Sequence, residues 1–61
     1  MNWKIINGSI DGIIYLNMEN VRLIRSGEED GFYCIYLDTD TLLFRSEDLR
    51  NECIRELTGF N

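Results

Sequence analysis

The sequence contains no histidine, no proline and only two cysteines. Without histidine, Ser9, Ser26, Ser46 and the thiols have no neutral-pH base to activate them, so nucleophilic catalysis has no support. Cys34 and Cys53 stand nineteen residues apart with no C-x-x-C pattern, which removes zinc and dithiol redox chemistry. They read instead as two small apolar side chains in a reducing compartment. No long apolar run follows Met1-Asn2-Trp3-Lys4, so neither a signal peptide nor a membrane span is expected, and the expected location is cytoplasmic. Positive charge is also scarce. Six basic residues face eleven acidic ones, for a net charge of −5, which argues against nucleic acid and anionic membranes as partners.

Ligand motifs are missing too. Asp38-Thr39-Asp40-Thr41 begins like a calcium loop, but Leu42 and Leu43 occupy the positions of the next oxygen ligand and the glycine. Gly8-Ser9 and Gly27-Glu28 lack the spacing and lysine of a phosphate loop. Paired carboxylates fall in loops and on a helix start, where water solvates them. The sequence therefore predicts no enzyme activity, no metal site and no cofactor.

What is present is sheet-forming sequence. Phe32 to Leu37 is apolar on both faces, Phe32, Cys34 and Tyr36 on one and Tyr33, Ile35 and Leu37 on the other, which predicts a central covered strand. Asp38 to Thr41 supplies a turn, and Leu42 to Arg45 returns as its partner. Upstream, Trp3 to Ile6 reads as a strand closed by Asn7-Gly8, a strong hairpin signal. Ser9 to Leu16 reads as the next strand, with Asp11-Gly12 as a bulge inside it. After Asn17-Met18-Glu19-Asn20, Val21 to Arg25 reads as a third strand, and Ser26 to Gly31 as an acidic loop. Ser46-Glu47-Asp48 is a capped, acidic helix start. Leu49, Cys53, Leu57 and Phe60, with Ile54, form the helix's apolar stripe, Arg50 falls on the polar face, and Gly59 ends it.

These elements predict one small domain over 1–61, with strands at about 3–6, 9–16, 21–26, 31–38 and 41–45 and a helix at about 46–58. The fold class is α+β: an antiparallel β-meander of four to five strands with one C-terminal helix packed on one face. A chain of this size buries only about 60% of its unfolded surface. One helix of about twelve residues covers one sheet face, yet apolar residues occur on both. A homodimer or higher oligomer is the expected remedy, with Trp3, Ile5, Tyr15, Tyr33, Ile35 and Leu43 at its interface.

Two further surfaces stand out. In a meander Glu28, Glu29, Asp30, Glu47 and Asp48 gather at one end, a candidate docking surface for a basic protein partner. Arg22, Arg25 and Arg45 would line a pocket for a small, nucleotide-like molecule if they faced the oligomer interface. In size, acidity, lack of histidine and sheet-plus-helix plan the chain resembles small cytosolic proteins that phages encode to bind and block host factors, including defence systems. Leu16 to Ile24, LNMENVRLI, is similar to the strand–turn–strand of small bacterial and phage β-meander proteins. The resemblance implies a non-enzymatic inhibitor or adaptor acting through protein–protein contact. Sequestering a small molecule, or serving as a structural subunit, are the alternatives.

Overall fold

A computed structural model describes residues 2–59. The order is β1 (Trp3–Ser9), β2 (Gly12–Asn17), a single 3-10 turn (Met18–Asn20), β3 (Ile24–Glu29), β4 (Phe32–Leu37), β5 (Thr41–Phe44) and α1 (Glu47–Thr58). It is an α+β arrangement, a five-stranded antiparallel sheet followed by one helix packed against it. Phe60, expected in the helix's apolar stripe, lies outside the described residues.

The strands lie in the order β2-β1-β5-β4-β3, so neighbours follow the chain within β1–β2 and within β3–β4–β5 but not between them. A single unbroken meander is therefore not what forms. β1 meets β5 only at its end, where Ser9 lies opposite Phe44 and the Ile10 amide donates to the Leu43 carbonyl at 2.9 Å. The hairpin is thus joined to the three-stranded unit at a corner. With β1 beside β5, Ile6 and Leu16 share one core with Leu42 and Phe44.

The first hairpin also turns elsewhere than its sequence suggests. Asn7-Gly8 lies inside β1, and the chain reverses at Ile10-Asp11. Ile6 lies opposite Ile14 and Ser9 opposite Gly12, so Asn7 and Gly8 together oppose Ile13 as a bulge. Turning at Asn7-Gly8 would leave a four-residue strand to pair a longer one. Turning at Ile10-Asp11 matches seven residues with six and puts Ile6 and Ile14 inward together. The Asp11 amide donates to Ser9 Oγ at 3.0 Å across that turn. The second hairpin is tighter than the expected acidic loop. Glu28 and Glu29 belong to β3, and Asp30 and Gly31, both at positive φ, make a two-residue connection of the kind that matches strand twist. Val21 to Leu23, expected as strand, are irregular, and β3 begins at Ile24.

Ile6, Leu16, Ile35, Leu37, Leu42 and Phe44 pack with Cys53 and Leu57 of α1 to form the core. Ser46 caps the helix, its Oγ accepting the Leu49 amide at 3.1 Å, and Gly59 closes it at positive φ. Leu49, expected in the buried stripe, is exposed, while Arg50, expected on the polar face, is buried.

Candidate functional site

Cross-strand partners on an antiparallel ladder share a face. Trp3 opposes Asn17 and Ile5 opposes Tyr15, while Lys4 opposes Leu16 and Ile6 opposes Ile14. Ile6, Ile14 and Leu16 therefore point to the core, and Trp3, Ile5, Tyr15 and Ile13 point away from it. That outer side is open. Trp3 is 52% exposed, Ile5 55%, Ile13 62% and Tyr15 68%, although all four are large hydrophobic residues. Leu43, opposite Cys34, continues the same side of the sheet and is half-buried.

The six residues expected at an oligomer interface thus divide. Trp3, Ile5, Tyr15 and Leu43 lie on the outer face, whereas Tyr33 and Ile35 face the helix with Phe44 and Leu42 as their cross-strand partners. Ile35 is fully buried in the core. Both faces of β4 are apolar, so sequence offered no reason to prefer one side for these two. Ile13, outside that set, lies on the same outer face, and its alternation with Tyr15 is the sequence signal for it.

The outer side of β4 is closed rather than open. Cys34 is fully buried there, its thiol donating to the Phe32 carbonyl at 3.7 Å. Tyr36 lies across Gly27, which has no side chain to obstruct it, and its hydroxyl donates to Glu29 Oε2 at 3.1 Å. Burial, the bond to Glu29 and the neighbouring Cys34 push the Tyr36 hydroxyl up to about 12. Cys53 is buried under the helix, and its thiol is pushed up to about 11 by burial and by the Glu56 carboxylate. Both cysteines are free and buried.

Glu28, Glu29 and Asp30, with Gly31, Phe32 and Tyr33, line a notch of about 240 Å³. The Arg50 guanidinium ties the helix start to this strand. Its Nη1 donates to the Gly27 carbonyl at 2.9 Å, its Nη2 lies 3.6 Å from Glu47 Oε2, and its centre sits 5.5 Å from the Tyr33 ring centroid. Glu47 is thereby held beside β3, and Asp48 is exposed on the same helical turn.

The three arginines proposed for a ligand are not gathered. Arg25, on β3, opposes Tyr36 towards the end of β4, while Arg45 follows Phe44 of β5, which opposes Tyr33 near the start of β4, so the two arginines flank different edges and opposite ends of that strand. The Arg22 amide donates to the Asp38 carboxylate beyond the end of β4. A second concavity of about 200 Å³ lies between the β1 bulge and α1, lined by Asn7, Gly8, Leu49, Glu52, Cys53 and Glu56, without an arginine. Among the described residues no group of three or more His, Cys, Asp or Glu side chains is placed to hold a metal ion. No buried polar side-chain atom there lacks a partner. No helix among them is long and apolar enough to cross a membrane.

Comparisons with family models, curated proteins and solved structures return no match to this chain.

Proposed function

We propose that the chain is a non-catalytic binding protein, an inhibitor or adaptor that self-associates and engages a protein partner through the outer face of the β1–β2 hairpin. One observation carries this reading: Trp3, Ile5, Ile13 and Tyr15 are together on one face of one hairpin, each more than half exposed, on the side the helix leaves open. Scattered exposed hydrophobic residues need no explanation, but a contiguous set of this size on a regular sheet is what binding surfaces present. Aromatic side chains on a rigid strand bring large contact area at small entropic cost. The carboxylates of Glu28, Glu29, Asp30 and Glu47 add a negative end that speeds encounter with a basic partner without forming the contact itself. Blocking a host factor, as phage-encoded proteins of this type do, is one role such a surface serves.

The test compares the native chain with an Ile5→Lys, Tyr15→Lys variant shown by circular dichroism to remain folded. Both positions are exposed, so the fold should survive. The native chain is expected to capture a protein partner from lysate and the variant to lose it. Equal capture by both would remove the outer face from the proposal. A melting temperature raised by the small-molecule fraction of an extract, with no protein added, would replace it with a sequestering role.

A further inference from the structure

The sheet ends in two edge strands, β2 and β3, and they are protected very differently. An edge strand presents unpaired amides and carbonyls to any neighbour, and proteins blunt this with charge, proline or a covering group. β3 reads IRSGEE, with Arg25, Glu28 and Glu29 along it, and its Gly27 carbonyl is taken by Arg50 Nη1 at 2.9 Å. β2 reads GIIYLN. It carries no charge and no proline, among the described residues only β1 lies beside it, and Ile13 and Tyr15 are exposed along it.

The neutrality of β2 is what points to a second copy as its occupant. With a net charge of −5, two copies repel wherever their acidic surfaces meet. Pairing through β3 would bring the charged Arg25, Glu28 and Glu29 into the seam and contest the Gly27 carbonyl that Arg50 holds. Antiparallel pairing of β2 with itself brings in no charge. Centred on Ile14, it opposes Ile13 to Tyr15, Ile14 to Ile14 and Gly12 to Leu16, keeping outward residues with outward and inward with inward. Aromatic against β-branched is among the favourable cross-strand combinations. The acidic strand and the Asp30-Gly31 turn stay at the opposite edge of each sheet.

We propose that two copies of the chain pair antiparallel through their β2 edges about a two-fold axis at Ile14, joining two five-stranded sheets into one and merging their outer apolar faces. The pairing presupposes the self-association proposed above and gives it a geometry. Ile13 and Tyr15 lie at the seam, and Trp3 and Ile5 of each copy remain open on either side of it, which doubles the surface offered to a partner.

Two measurements decide it, the first on the unmodified chain. Sedimentation equilibrium from low to high micromolar concentration is combined with backbone amide exchange at both extremes. A dimer whose Gly12–Asn17 amides gain protection with concentration supports the pairing. A dimer that leaves those amides unchanged overturns the edge geometry but keeps self-association. A single-chain species throughout overturns both. The second measurement uses single lysine variants on the two strands of the hairpin. Ile13→Lys places like charges close to the axis and is expected to weaken dimerisation by at least about tenfold, while Ile5→Lys leaves it unchanged. The reverse order, Ile5→Lys dissociating the dimer and Ile13→Lys sparing it, would mean that faces stack and edges do not pair.

Discussion

Gly27 is where one absent side chain organises several that are present. A Cβ placed there would come within 2.6 Å of Tyr36 Cε2, so the ring would have to leave. Leaving breaks its bond to Glu29 and uncovers the side on which Cys34 is buried. Gly27→Ala is therefore expected to destabilise the fold by about 1–3 kcal/mol in urea unfolding. It should also make the Cys34 thiol alkylate faster, with mass spectrometry locating the label. An unchanged Cys34 rate would show that Tyr36 is not its cover. Arg50 is the second such residue. It bonds the Gly27 carbonyl and Asn51 Oδ1 at once and stacks near Tyr33, so its loss removes contacts to a neighbouring strand as well as a charge. Arg50→Met is expected to cost about 1–3 kcal/mol, and Arg50→Lys to recover little of it, because a single ammonium cannot reproduce the planar fork. Glu47→Ala should cost under about 1 kcal/mol, its carboxylate being largely in water. Helical periodicity hid Arg50. Spacing alone assigns arginine to the solvent side, and only the three-dimensional position of the Gly27 carbonyl turns it inward.

Elements were legible in the sequence where one signal acted alone. The helix, with its serine cap, acidic first turn and closing glycine, forms where those residues place it, and β4 spans the apolar run Phe32–Leu37. Two hairpin signals close together were not separable. Asn7-Gly8 is the stronger local turn sequence, yet the turn falls at Ile10-Asp11, because register is decided by how many pairs form and which residues point inward. The same competition shaped the candidate site. Trp3, Ile5 and Tyr15 follow from alternation, but Tyr33 and Ile35 could be sided only once β4 was seen between β3 and β5, under the helix. Gly12 tests the observed turn. Its φ is +89° with nothing within 4 Å of an added Cβ, so any cost of substitution is backbone strain rather than crowding. Gly12→Ala is expected to lose about 1–2 kcal/mol, and D-alanine introduced by chemical synthesis to restore it. Equal stability of the L and D forms would argue against this turn.

Across the whole molecule, two protonated groups hold opposite sides of the sheet, and this gives stability an alkaline limit. Cys53 lies between helix and sheet with its thiol raised from 9.0 to about 11, and Tyr36 lies on the outer side with its hydroxyl raised from 10.0 to about 12. Both folded-state values exceed the unfolded ones, so above the ordinary value the unfolded chain has released a proton that the folded chain still holds. The stability each contributes is whole below its unfolded value and is lost as pH rises through the folded one. Unfolding free energy should therefore hold steady with respect to these groups up to about pH 9, fall between 9 and 11 as the Cys53 thiol is drawn off, and fall further towards 12 with Tyr36. Urea titrations at stepped pH measure the profile. Cys53→Ala should flatten its first part and Tyr36→Phe its second, because each removes one proton from one side of the sheet. A native profile level through pH 11 would mean that neither burial nor the Glu56 carboxylate restrains Cys53 ionisation, and that the helix does not seal this side of the core.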